Sequence, residues 1–238
     1  MTLRREYRKE IMDDFSITDN RIDDALDELS LINKFLGGNL IFKRAFKYLI
    51  NTSRKSNAAS ASKYHLSVLD VGAGGAEYFY ILNNKAYQIN WTNIDLNIRA
   101  CRYEKNRQPG NYTVCSNALY LPFKDKAFDV VHASLFLHHF KENDIIRLLQ
   151  AFMSLSRQGI VINDLRRNIL AYLGIKLLTA LFSRSQMVKN DGPLSVKRGF
   201  IKTELVKFLQ AAGIKKYIIK RKWAFRWMII IPVSETGV

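Results

Sequence analysis

Three groups of residues in this chain have types and spacing that could do chemistry. The first is Asp70-Val71-Gly72-Ala73-Gly74. Two glycines one residue apart let a backbone turn tightly and approach a ligand closely. A dinucleotide loop would need a third glycine where Glu77 stands. Asp70, two residues before the first glycine, instead suits a ligand with positive charge, such as an amino-acid ammonium group. Farther on, Asp95 could accept hydrogen bonds from both hydroxyls of a ribose. The second group is His138-His139. Histidine titrates near neutral pH and can act as a base, although the pair could equally pack or cap the helix that follows. The third group is Asn163-Asp164-Leu165-Arg166-Arg167. Arg166 or Arg167 could hold a substrate carboxylate or phosphate by two parallel hydrogen bonds, or bond Asp164, or remain on the surface.

The elements that must position these groups follow from periodicity and turn signals. Ile11, Phe15, Ile22, Leu26, Leu29 and Ile32 recur at helical spacing, so residues 4–50 predict two or three helices, with Gly37-Gly38 as a stop. The polar, small-residue stretch 51–63 predicts a linker. Strands and helices then alternate. Strands are expected at 66–71, 88–95, 112–115, 128–133, 160–163, 214–220 and 225–233. Helices are expected at 74–84, 97–107, 141–155, 168–182 and 202–212, and 191–195 reads as a loop over the substrate. Such alternation indicates an α/β fold, with a doubly wound, seven-stranded and mostly parallel sheet. The last two strands make an antiparallel edge hairpin. The domain reading is an N-terminal helical cap (1–50), the linker (51–63) and one ligand-binding domain (64–238), with cap and domain a single structural unit.

Composition narrows the function. The chain has 238 residues, 48% of them hydrophobic, enough for one full-sized core and too apolar for a disordered chain. Two cysteines, Cys101 and Cys115, exclude a disulfide scaffold and a multi-cysteine zinc module. The longest apolar stretches fall short of the roughly 20 residues that span a bilayer. The N-terminus shows no apolar signal core, so a cytoplasmic protein is expected. The net charge of +16 is unevenly spread: residues 31–69 hold seven basic side chains and no acidic ones, and 184–226 hold twelve basic and two acidic. A basic C-terminal quarter could attract an acidic carrier protein, an anionic membrane surface or nucleic acid, or reflect solvated lysines only. No basic run interleaved with aromatics suggests a nucleic-acid module.

From about residue 66 to 233 the chain resembles the class I S-adenosylmethionine-dependent methyltransferases, most of all the ubiquinone and menaquinone biosynthesis branch. Asp70-x-Gly72-x-Gly74 resembles the family's acidic-Gly-x-Gly loop, which holds the methionine part of the cofactor. Asp95, followed by Leu96, resembles the ribose-binding acid. Asn117-Ala118-Leu119-Tyr120-Leu121-Pro122-Phe123 is similar to the Asp-Ala-x-x-Leu-Pro-Phe segment near adenine. Phe128-Asp129-Val130-Val131 and Leu137-His138-His139 resemble the fourth strand and the turn after it. Two positions depart from the pattern: Ala76 replaces the usual third glycine, and Asn117 the usual aspartate, whose amide oxygen can still accept from adenine.

The resemblance implies a Rossmann-like fold with S-adenosylmethionine as cofactor and S-adenosylhomocysteine as product. Asp70, Gly72, Gly74, Asp95, Leu96, Asn117 and Ala118 then bind the cofactor. Methyl transfer mainly needs nucleophile and methyl aligned, with water excluded. His138 or His139 is the candidate base, and Arg166 and Arg167 the candidate substrate residues. No metal is expected, because the acid that follows the fourth strand in metal-dependent catechol methyltransferases is missing from Ala133-Ser134-Leu135. The acceptor implied is oxygen or carbon of an apolar small molecule, aromatic or polyketide-like. A nucleic-acid methyltransferase is the first alternative, but Ala133-Ser134-Leu135-Phe136 lacks the tetrad that holds a flipped base. A non-catalytic binding module on the same fold is the second.

Overall fold

Leu66 and Val68 point to one side of their strand and Leu69 and Val71 to the other, and none of the four is more than 2% exposed. A strand buried on both faces belongs inside a parallel sheet with helices on either side. The computed structural model describes residues 3–54, 64–74 and 87–233. Its strands are β1 (Tyr64–Val71), β2 (Tyr87–Asp95), β3 (Tyr112–Cys115), β4 (Phe128–Ser134), β5 (Ser156–Leu165), β6 (Ile218–Lys222) and β7 (Arg226–Pro232). They form one sheet in the order β3-β2-β1-β4-β5-β7-β6. β1 to β5 pair in parallel, and β7 runs antiparallel to both β5 and β6. The α/β fold with a C-terminal antiparallel pair is therefore as expected, with β6 at the edge and β7 inside the sheet.

The chain order reverses between β1 and β4, the point where open α/β sheets bind ligands beyond their strand ends. Register fixes which side chains meet there. Asp70 lies beside His132, and Ser134 beside Asn163.

The helices are α1 (Asn20–Phe35), α2 (Gly38–Arg54), α3 (Ile98–Arg107), α4 (Glu142–Leu155), α5 (Ile169–Phe182), α6 (Gln186–Arg198) and α7 (Lys202–Ala211). Side chains at their starts satisfy free backbone N–H groups. Asp19 accepts from Arg21 N, Asn97 from Arg99 N, and Asn168 from Leu170 N. On one face of the sheet, Leu148 and Phe152 of α4 and Phe208 of α7 pack over Leu69, Val131 and Ile162. On the other, Phe42, Phe46 and Leu49 of α2 pack over Val68, Val130 and Val161.

Three expectations need correction. The first fifty residues are not one cap: α2 is a layer of the sheet core, and only the segment through α1 lies over the strand ends. Residues 4–10 are extended, and the first helical turn is a short 3-10 turn at Ile11–Asp13. Their apolar residues are too sparse to give a helix a buried face. Residues 191–195 are not a loop but the middle of α6, with Pro193 inside it. Gly192 is there for helix packing, since a Cβ would stand 3.3 Å from Ile175 and 3.4 Å from Thr179 of α5. Helix α2 also runs to Arg54, into the expected linker. The rest of that linker, and nearly all of the helix expected at 74–84, lie outside the described residues.

Candidate active site

The loop after β1 is hooked onto the end of β2. Gly72 N and Ala73 N both donate to Ile94 O, at 2.8 and 3.0 Å. Gly72 and Gly74 have φ of +69° and +59°, a left-handed backbone that favours glycine. A Cβ on Gly72 would also collide with the ring of Phe136. Asp95 is held from two sides, accepting from Gly74 N at 3.2 Å and from Asn97 N at 2.8 Å. Burial pushes its carboxyl above the usual range, against those two hydrogen bonds. Asp70, 2% exposed, bonds His132 Nδ1 at 2.7 Å, as their register requires. Asn117 Oδ1 accepts from Leu119 N at 2.9 Å, so one lone pair of the amide oxygen is already used in the local turn.

Beyond these strand ends opens a cavity of about 710 Å³. Asp70, Gly72, Gly74, Asp95, Leu96, Asn117 and Ala118 all line it, so the structure brings every expected cofactor residue to one wall. Apolar side chains line it as well, among them Ile22, Leu26 and Leu29 of α1 and Ile175 and Leu178 of α5.

His138 and His139 line the same cavity, on a short 3-10 turn after β4. Each ring is fixed by a carboxylate. His138 Nδ1 lies 2.7 Å from Asp164 Oδ1, and His139 Nδ1 lies 2.7 Å from Asp13 Oδ1. An ionised carboxylate can only accept, so each Nδ1 donates, and in the neutral ring it is Nε2 that keeps the lone pair. Burial disfavours the charged form of His139, but Glu10 and Asp13 outweigh it and raise its pKa above the ordinary value. Asp164 is likewise lowered by His138 against the effect of its burial.

Glu10 and Asp13 belong to the N-terminal segment, which runs over the site as a strap. Arg5 anchors it by donating to Arg198 O at 3.1 Å and to Phe140 O at 3.0 Å. Asp191 of α6 accepts from Ile11 N and Met12 N at 2.8 and 3.0 Å. Arg198 pairs with Asp13 at 2.6 Å and faces Glu10 Oε1 at 3.5 Å. Sequence reasoning missed Glu10, Asp13 and Arg198, for which the only signal was an acidic N-terminus. It noted Asp164 but could not see that this residue orients His138.

The donor atoms of Glu10, His138 and His139 lie within 4.8 Å of one another, a set that could hold a metal ion. Arg198 already supplies positive charge to it.

Arg166 and Arg167 are not brought to the site. Neither lines the cavity. Arg167, 5% exposed, donates to Leu3 O, Gly199 O and Glu204, and so ties the N-terminus to α7. Arg166 lies over the Phe225 ring at 5.6 Å. Both follow the end of β5, where Arg166 N donates to Phe225 O and Arg167 N to Phe200 O.

Residues 69–162 match the family model described as a methyltransferase domain. No curated protein matches the chain. Among solved structures, a SAM-dependent methyltransferase from Methanosarcina mazei is 18% identical with a TM-score of 0.52, over 72% of this chain and 93% of that one. Magnesium protoporphyrin IX methyltransferase from Synechocystis, crystallised with S-adenosylhomocysteine, is 13% identical with a TM-score of 0.53, over 85% and 87%. A possible exported protein from Bordetella parapertussis is 13% identical with a TM-score of 0.57, and this chain spans 66% of its length and matches over 79% of its own. The match assigns a methyltransferase domain to residues 69–162, and the fold around it is similar to that of S-adenosylmethionine-dependent methyltransferases. The residues present fit S-adenosylmethionine, a group of net positive charge: the buried Asp70 and the half-buried Asp95 line the cavity beside the glycine loop.

Proposed function

We propose that the enzyme methylates oxygen or carbon of an apolar small molecule, aromatic or polyketide-like, with His138 or His139 as proton acceptor. The observation that carries this reading is the pair of carboxylate-fixed imidazoles, both lining a largely apolar cavity that the expected cofactor residues also line. The quinone-pathway resemblance is part of the proposal, and an aromatic acceptor is what such a cavity suits.

S-adenosylmethionine, when bound, supplies a methyl group on a positively charged sulfur. Asp70, Gly72, Gly74, Asp95, Leu96, Asn117 and Ala118 would hold it. The apolar side chains of α1 and α5 orient the acceptor and exclude water, which strengthens every charge interaction inside. His139 Nε2 takes the proton of an acceptor hydroxyl, and Asp13, hydrogen-bonded to Nδ1, stabilises the imidazolium that results. His138, buried against Asp164, either shares that duty or orients its neighbour. A positioned base of this kind contributes about 10²–10⁴-fold.

The test is transfer of radiolabelled methyl from S-adenosylmethionine to a panel of phenols, hydroquinones and polyketide-like compounds. His138→Ala and His139→Ala are compared with the unaltered chain. One variant should lose about 10²–10⁴-fold in kcat while calorimetry shows unchanged cofactor binding. Full activity in both variants would remove the histidine role. Failure of the unaltered chain to bind S-adenosylmethionine at millimolar concentration would remove the whole reading.

A further inference from the structure

Helix α5 presents an apolar face to solvent. Leu170, Leu173, Leu177 and Leu181, spaced three and four apart, are 52–67% exposed, and Phe182 at the helix end is 77% exposed. Residues at this spacing form one stripe. A helix of a globular protein ordinarily turns such a stripe inward. This one cannot, because its other side is committed: Ala171 and Thr179 are buried, and Gly192 brings α6 close to Ile175 and Thr179. A contiguous exposed apolar patch marks an interaction surface.

Beside the stripe lies a second hollow of about 360 Å³. Arg8, Lys9, Lys176, Lys189 and Lys197 line it, five cations drawn from the strap, α5 and α6, with no acidic side chain among the described lining residues. Glu6 pairs with Arg8 at 3.2 Å, which leaves the hollow strongly positive. Lys176, the one charged residue of α5, lines the hollow from the same helix.

We propose that this surface docks the enzyme on an anionic lipid bilayer, with the leucines in the acyl boundary and lipid phosphate in the basic hollow. Helix α5 has 14 residues, about 21 Å at 1.5 Å per residue, so it lies in the interface and does not span it. A second copy is a poor occupant, since a symmetric pair would bring cations against cations. Leu170 and Gly174 both line the main cavity and belong to the exposed stripe, so the cavity opens toward the docked face. An apolar acceptor would then pass from lipid to the histidines without crossing water. Only that route rests on the methyl-transfer reading; the docking does not.

The experiment is flotation of the full chain, without cofactor, on vesicles of phosphatidylcholine with phosphatidylglycerol and on phosphatidylcholine alone. Binding is expected on the anionic vesicles, weakened about ten-fold or more on the neutral ones and by 0.5 M salt. The triple variant Leu173→Ser, Leu177→Ser, Leu181→Ser should lose about ten-fold or more. Lys176→Glu with Lys189→Glu should lose as much. Both variants replace surface residues and should melt and bind S-adenosylmethionine like the unaltered chain. Absence of flotation, or flotation that ignores the leucine variant, overturns the docking. So does a dimer in gel filtration that the leucine variant abolishes, because the stripe would then belong to a second copy. Calorimetry with S-adenosylmethionine on the same preparations keeps the two readings apart: vesicle binding without cofactor binding sinks methyl transfer alone, and the converse sinks docking alone.

Discussion

Asp13 and His139 set the pH at which the site can take a proton. Glu10 and Asp13 hold the His139 imidazole above its ordinary pKa against the effect of burial. A protonated ring cannot accept, so activity should rise as pH rises through that raised value. In Asp13→Asn the charge is gone, the pKa falls, and the acid limb of the kcat/KM profile should move to lower pH. A merely structural aspartate would lower activity without moving the limb. Glu104 gives a prediction of opposite kind. Burial, then the charges of Asp70 and Asp95, push its carboxyl up to about 9. The folded chain therefore holds a proton that the unfolded chain releases above its ordinary pKa, and stability declines as pH rises from there to about 9. Glu104→Gln keeps an oxygen for the Asn93 amide and needs no proton. Its melting temperature should exceed that of the parent by a margin that widens from pH 5 to pH 9; a margin constant with pH would show that Glu104 is not neutral in the fold.

At the scale of elements, α2 and the strap should separate stability from site closure. Phe46 is fully buried on the sheet face away from the cavity. Phe46→Ala should cost about 3–5 kcal/mol of stability and leave cofactor affinity intact in the protein that remains folded. Asp191→Ala strips the strap of two hydrogen bonds, at a cost of about 1–3 kcal/mol. Amide exchange at Ile11 and Met12 should speed up, and KM for the acceptor should rise more than the melting temperature falls. The same scale explains what could be read beforehand. Asp70, Gly72 and Gly74 were legible because strand, acid and glycines are contiguous, and a strand end with that pattern has one place in an α/β sheet. Arg167 was not legible, since its partners Leu3, Gly199 and Glu204 lie far from it in sequence. Pro193 and Gly192 look like turn residues; only the crossing of α5 and α6 shows that the glycine serves close packing. The strap was not legible because it is held by polar contacts to residues far along the chain, Arg5 to Phe140 and Arg198, and Ile11 and Met12 to Asp191.

For the whole molecule the question is whether charge in the cavity is balanced by protein alone. Glu10, Asp13 and Asp164 surround two imidazoles, and Arg198 is the cation beside Glu10 and Asp13. If protons and Arg198 suffice, activity should be unchanged after dialysis against a chelator. Loss of activity restored by a divalent ion would put a metal on Glu10, His138 and His139 and retire the histidine base.

Arg5 donates to the carbonyl of Arg198 across 193 positions of sequence. Closing so long a loop costs entropy that only late contacts return. During synthesis the strap leaves the ribosome well before its partners in α6, with β1 to β5 in between. A nascent chain stalled before α6 can hold β1 to β5 and the glycine loop, and still lack a closed cavity. The glycine loop is thus synthesised well before the contacts that shut water out of the cavity.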